Sequence, residues 1–388
     1  MASADPLLPR AALWRDPRWS GIAIQAAVVA AVLALGAYLV HNTLVNMARA
    51  GIATGFSYLG RQASFAIGEA LVAYTPADTY ARALLVGVLN TLLVAALGIV
   101  LSTVLGTAIG IARLSANWLV KTLALAYVET LRNVPLLLQL IVWWDLLRVS
   151  APPPRQAWQP LPDVYVSVRG IALPVPVWSP VYLAMGAAFA AALAAGAALA
   201  WWARRRARTL PSGTIAAALA VALPFAVFLV GGAPLAWDRP ELRAFNFAGG
   251  VSLSPEFAAL LFGLTAYTAA FIAEIVRSGI VGVSHGQGEA ALALGLKRGQ
   301  VLRLVILPQA LRIIVPPMLS EYLALTKNSS LAIAIGYPEL MSITNTTLNQ
   351  TGQAVEAIAV MMAIYLAISL ATSLAMNWYN RHIALAGR

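Results

Sequence analysis

Residues 289–308 read Glu289-Ala290-Ala291-Leu292-Ala293-Leu294-Gly295-Leu296-Lys297-Arg298-Gly299-Gln300-Val301-Leu302-Arg303-Leu304-Val305-Ile306-Leu307-Pro308. Ala, Leu and Glu favour a helix over 289–294. Gly295 ends that helix, as glycine commonly does just past a helix C-terminus. A second short helix follows with Gln300, Leu302, Arg303 and Leu304, and it stops before Pro308. Outward from this stretch, apolar runs at 256–280 and 310–333 are each long enough to cross a bilayer. Two short helices with a glycine joint between two spans form a protrusion on one membrane face. Its small residues suit close docking in a partner's groove. An amphipathic helix lying in the interface is the alternative.

The rest of the 388 residues agrees with a membrane solvent. Apolar residues make up 60% and charged residues 11%, with a mean hydropathy of +0.78. A soluble domain carries about 25% charged residues, and disorder needs still more charge and fewer apolar groups. There is no cysteine, so disulfides and thiolate metal sites are excluded. About 20 mainly apolar residues make a transmembrane helix, and eight such runs are present: 20–41, 84–111, 122–147, 181–202, 213–232, 256–280, 310–333 and 355–378. The first follows Arg10, Arg15 and Arg18 like a signal peptide, but its apolar run exceeds the usual signal core, so it is expected to be a retained anchor. Pro224 interrupts the fifth span, and Pro316-Pro317 are expected to kink or break the seventh. The third is expected to be a plain span.

Threading eight spans from a cytoplasmic N-terminus puts sixteen of the 26 Lys and Arg on the inner side, counting Arg277 and Arg312 at the inner ends of their spans, and eight outside, with Arg132 and Lys327 left deeper within spans. The local run Arg204-Arg205-Arg206 with Arg208 is the strongest inner mark. This bias places both termini in the cytoplasm. Residues 42–80 and the proline-rich 149–180 become outer loops, the latter too rich in proline for helix. The Ala-rich 181–232 is a two-span insert with a supportive, lipid-facing role. No internal repeat is evident, which weakens a secondary-transporter reading.

Charged groups within spans are costly and mark candidate functional positions. Glu129 and Arg132 lie three apart, as do Glu274 and Arg277; each pair either neutralises itself or serves a pathway. Glu321 and Lys327, six apart, cannot pair along one helix face. With Asn328, Ser329 and Ser330 they suggest a face lining a polar cavity, or else hydrogen bonds between helices. Gly282-Val283-Ser284-His285-Gly286 fits a serine-hydrolase pattern, but a spanning helix rather than a strand precedes it. The three histidines have no ligand spacing, and none of the three lysines follows a glycine, so no Walker A loop exists. If ATP drives this protein, another chain hydrolyses it.

The 289–308 segment resembles the EAA loop of ATP-binding-cassette (ABC) importer permeases: Glu289, Ala290, Ala291, Gly295, then Val305, Leu307 and Pro308, with valine in place of isoleucine. Residues 129–139, from Glu129-Thr130-Leu131-Arg132-Asn133-Val134-Pro135 to Gln139, look like the third-span motif of polar amino acid permeases. Tyr267 to Gly279 and Thr326 to Leu331 match the same group. The resemblance covers about 84–148 and 255–380, and the extra first span and insert resemble the longer general L-amino acid permeases.

That resemblance implies an all-α, polytopic fold of about eight transmembrane helices, type I ABC importer permease-like with five core spans. Residues 1–83 would be an added span and outer loop, 84–148 the first part of the core, 149–250 an outer loop plus two-span insert, and 251–388 the rest, with the coupling loop at 282–308. It implies a multi-pass protein of the cell inner membrane, importing polar L-amino acids and lacking catalysis or a cofactor of its own. ATP and Mg would sit on a partner ATPase dimer. A second permease subunit, expected to be a paralogue, and a periplasmic amino acid-binding protein would complete the system; nucleic acid would play no part. Glu289, Ala290, Ala291, Gly295, Leu307 and Pro308 would couple to the ATPase, and Glu129, Arg132, Glu274, Glu321, Lys327, Asn328 and Ser329 would be pathway candidates. The alternative is an ion-coupled transporter relaying protons through Glu129, Glu274 or Glu321.

Overall fold

The computed structural model describes residues 17–51, 54–205, 212–233 and 235–384. The remainder of the arginine run at 206–208 and both extreme termini lie outside the described residues. Two compact units emerge, one of residues up to 90 with 338–375, the other of 91–337 with the residues from 376 on. Seven described helices are long and apolar enough to cross a membrane, or eight if one sharply bent pair counts as one crossing.

Helix α1 (Pro17–Arg49) is mainly apolar between Gly21 and Val40, with side chains such as Ile24 and Leu33 exposed to the surroundings. It runs past residue 41, where the sequence reading began a loop, because nothing between His41 and Arg49 breaks a helix. Helix α2 (Tyr80–Ala112) follows. Asn117 then caps α3 (Trp118–Asn133) by accepting the Leu119 and Val120 N–H groups.

The expected plain third span is in fact two helices. After α3 the chain turns by 105° into α4 (Leu136–Arg148). Val134 is extended, at φ −94° and ψ 128°, as a residue before proline prefers, and Pro135 has no N–H to carry the ladder on. The length of the apolar run alone does not register this proline.

The loop after α4 holds no α-helix, as its prolines imply, only a 3₁₀ turn at Pro154–Gln156, but it is not irregular either. Strands β1 (Trp158–Leu161), β2 (Val164–Ser167) and β3 (Gly170–Leu173) form an antiparallel meander, followed by the short β4 (Val175–Pro176). The insert then forms a hairpin of α5 (Pro180–Arg205) and α6 (Ser212–Val230), with Pro224 inside α6. Gly196 lies where a Cβ would meet the Ala216 side chain at 2.4 Å, so small residues set the close approach. On return, β5 (Trp237–Asp238) pairs with β4, and the Val177 N–H donates to the Ala236 carbonyl at 2.8 Å. β6 (Glu241–Arg243) and β7 (Asn246–Ala248) form a tight hairpin, and β8 (Val251–Leu253) completes the sheet in the order β1-β2-β3-β8. The expectation of an all-α chain therefore holds for the membrane part, with a small β-structure added.

Helix α7 (Pro255–Val281) is the most buried span. Ser254 caps it through the Phe257 N–H, with Pro255 at its first position. Leu260, Leu264, Leu136, Leu140, Val94, Leu325 and Tyr337 share one core around it. Gly106 and Gly110 of α2 make a close crossing: a Cβ would lie 2.7 Å from the Ile272 side chain at the first and 2.7 Å from the Ala273 carbonyl at the second.

Next come α8 (His285–Ala293), the single turn α9 (Arg298–Val301), a π-turn over Leu302–Ile306, and α10 (Leu307–Asn328). One expectation fails here. The second loop helix does not stop before Pro308; it runs through the π-turn into α10. The wider turn makes room for a proline ring that would collide with the carbonyl four residues back. Of the kink or break expected at Pro316-Pro317, the break is absent: α10 stays helical across both and tightens to a 3₁₀ segment only at Ser329–Ile335.

In the other unit, Tyr58, Ala63, Tyr80, Ala83, Leu84, Leu340 and Ile343 form the core. Glu339 caps α11 (Leu340–Thr351), accepting the Met341 and Ser342 N–H groups at 2.8 and 2.7 Å. The Tyr365 hydroxyl of α12 (Ala354–Ala384) donates to the same carboxylate at 3.0 Å.

Candidate functional site

Two groups of predicted residues occupy separate places. The loop residues Glu289, Ala290 and Ala291 stand on α8, and the chain leaves that helix through hydrogen bonds from the Gly295 N–H to the Leu292 carbonyl and from the Leu296 N–H to the Ala291 carbonyl. This is the paired reverse-turn cap that ends a helix in a left-handed residue. Gly295 has φ +82°, and a Cβ there would meet nothing within 4 Å. Its requirement is conformational, not spatial. Ala291 of α8 and Val301 of α9 are buried. Gln300 accepts the Lys297 N–H at 2.9 Å and starts α9.

Between the end of α7, α8 and α9 lies a mainly apolar cavity of about 580 Å³, bordered by Val283, Glu289, Leu292, Arg298, Val301 and Ile306. Glu289 also meets His285 at 3.2 Å. Leu294 is 84% exposed and Leu292 nearly half exposed at the tip. The sequence reading named the glutamate and glycine but missed these leucines, which offer the apolar surface of the protrusion. Leu307 and Pro308 sit further on, in the first turn of α10.

The charged residues within the spans separate into tied and untied groups. Glu274 is clasped from both sides, by Arg113 just beyond α2 and by Arg277 one turn along α7 at 2.5 Å. Its geometry is that of a clamp between α2 and α7. Glu129 and Arg132 do not pair with each other: both are exposed, and the Arg132 guanidinium lies 5.0 Å from the centre of the Phe271 ring. Glu321 of α10 is half-buried. Lys327 is exposed and Asn328 half-buried. Ser329 is fully buried and donates to the Thr326 carbonyl at 2.7 Å, while Ser330 donates to the Lys327 carbonyl at 2.8 Å. Those hydroxyls serve their own backbone where α10 tightens.

Gln139 has a role the sequence reading did not assign. Its amide donates at 2.9 Å to both the Leu131 and Val134 carbonyls, the groups that the α3–α4 bend leaves unpaired. Tyr127 anchors α3 by donating to the Ala266 carbonyl of α7 at 2.8 Å. Proline preceding a glutamine by four residues, inside an apolar run, is the signal that could have revealed the bend.

The chain is 46% identical over 377 residues to the general L-amino acid transport system permease protein AapQ of Rhizobium johnstonii, covering 96% of this chain and 94% of that one. It belongs to the ABC amino-acid importer permeases. The family model described as "Binding-protein-dependent transport system inner membrane component" matches residues 207–385 of the permease. Two further relatives match the permease over nearly its whole length. The putative amino-acid ABC transporter permease protein YhdX of Escherichia coli is 47% identical, over 94% of each chain. The glutamate/glutamine/aspartate/asparagine transport system permease protein BztB of Rhodobacter capsulatus is 42% identical, over 96% of each. All three alignments run through the insert, so the permease belongs with the long members. The ion-coupled alternative is set aside by this membership.

Proposed function

We propose that the permease is one of two membrane subunits of an importer for polar L-amino acids, and that its partners are an ATPase dimer, a paralogous permease and a soluble amino acid-binding protein. The near full-length similarity to AapQ and BztB carries this reading, because their names specify general L-amino acids and the glutamate/glutamine/aspartate/asparagine group. ATP and Mg belong to the ATPase. Both termini and the α8–α9 loop face the cytoplasm, where Glu289 to Gly295, with Leu292 and Leu294, engage the ATPase. A rigid helix held in a groove passes a rigid-body shift to α7 and α10 on either side; Leu307 and Pro308 fix where α10 begins.

Glu129, Arg132, Glu321, Lys327 and Asn328 line the route. A zwitterion crossing a low-dielectric region needs both signs of charge near its path, and Arg132 with Glu321 supplies them. Glu274 and Ser329, both tied to protein groups, hold the walls in shape. The core segments are 84–148 and 251–388, with 1–83 and 149–250 as additions.

The test is reconstitution of the permease with its ATPase, second permease and binding protein in liposomes. ATP-dependent uptake of radiolabelled glutamate and glutamine is expected, and Arg132→Ala should slow it without loss of assembly. Uptake by the permease alone, driven by an ion gradient and indifferent to ATP, would overturn the reading.

A further inference from the structure

The β-structure built from the two loops around the α5–α6 hairpin contains none of the proposed route or coupling residues. It stands before the N-terminus of α7, whose 27 residues place it about 40 Å from the α8–α9 loop at the other end. Its short strands and charged side chains exclude it from hydrocarbon, so one of its faces meets water.

Tyr165 of β2 stacks on Phe247 of β7, with ring centres 4.6 Å apart and planes at 22°. This stack floors an open groove of about 410 Å³. Arg239 pairs with Asp163 at 3.4 Å and Arg243 with Glu241 at 3.6 Å. Arg155, on the groove wall, has no acidic partner among the described residues; its guanidinium lies 5.1 Å from the centre of the Phe245 ring. Phe245 is 72% exposed at the tip of the β6–β7 hairpin, beside Ala244 at φ +55°. A second groove of about 210 Å³ shares Asp163 and Arg239 and is bordered by Trp237.

We propose that this face is a docking surface for the soluble amino acid-binding protein. Phe245 enters an apolar pocket on that protein, and Arg155 pairs with a carboxylate at the pocket's edge. Exposed aromatic side chains beside arginine are the residue types that anchor protein interfaces. The unpaired cation calls for an acidic counterpart, and the position opposite the coupling loop is the side from which substrate is delivered. The proposal rests on the import reading above.

The experiment uses the complete transporter in nanodiscs and measures ATPase activity against binding-protein concentration. In Phe245→Ala and Arg155→Glu, the concentration for half-maximal stimulation rises about tenfold, while basal activity and the saturated rate stay unchanged. A photoreactive residue at position 245 crosslinks to the binding protein, and reversing an acidic residue at the crosslinked site restores the response of Arg155→Glu. Variants that match the wild type would overturn the docking face while leaving the import reading intact. Crosslinking only to lipid or to a second copy of this chain would do the same. A wild-type transporter indifferent to the binding protein would overturn the import reading itself, and the docking face with it.

Discussion

At Gly295 the backbone angle, not the space, sets the residue. An L side chain in the left-handed region costs about 1–2 kcal/mol, and asparagine is the non-glycine residue that visits it most readily. Gly295→Val should therefore unwind the end of α8, while Gly295→Asn preserves it. In reconstituted transporter the valine variant is expected to keep ATPase activity but lose most ATP-driven uptake, and the asparagine variant to keep both. Equal uptake in the two would separate the turn from coupling. Glu274 is a different case, because it answers two arginines at once. Hydrogen bonds to charged groups contribute about 1.5–3 kcal/mol, so Glu274→Gln should lower the unfolding temperature by several degrees. Replacing Arg113 and Glu274 together by methionine should recover part of that loss, which thermal unfolding in nanodiscs would measure. Spacing showed that Glu274 and Arg277 could meet. It could not show Arg113, since a contact between α2 and α7 is a property of packing.

Among the elements, the α3–α4 bend depends on one side chain. Gln139→Leu removes both donors from the Leu131 and Val134 carbonyls, and each unpaired carbonyl costs about 1–3 kcal/mol. The variant should straighten or destabilise the bend, seen as faster proteolysis near 134 and a lower melting temperature; an unchanged protein would remove Gln139 from this role. The α11 cap predicts a pH effect. Burial pushes the Glu339 carboxyl up to about 7, against the pull of the Met341 and Ser342 N–H groups and the Tyr365 hydroxyl. A raised folded-state value means that the protonated form is favoured in the fold. Its stability contribution is complete below the unfolded value near 4.5 and is lost as pH rises through about 7. Wild-type melting temperature should thus fall between pH 5 and 7.5 relative to Glu339→Gln, whose curve lacks that component; parallel curves would contradict the assignment. Apolar run length revealed the spans. The bend, the π-turn and the β-strands were missed because each arises from local geometry around proline or from pairing between loops distant in sequence.

For the whole molecule, family membership and the helical membrane core were legible from Glu289, Gly295 and Pro308 and from the motifs at 129–139 and 267–279. The insert was legible as two spans but not as a hairpin returning to its own starting point. Because β4 pairs with β5 and Val177 bonds to Ala236, excising 178–235 and closing the gap with a short turn should leave a folded protein that still assembles with its partners. Co-purification from membranes would check this, and loss of all partners would show that the hairpin contributes to assembly.

That single hydrogen-bonded gate also bears on how such a chain could lengthen. A segment entering and leaving at adjacent points imposes no displacement on what lies before or after it. It can be acquired in one genetic event, carried without penalty while it has no task, and later shaped by selection independently of the transport route. The same doorway would accept a foreign domain, giving an engineer a place to fuse a reporter without touching the parts that move.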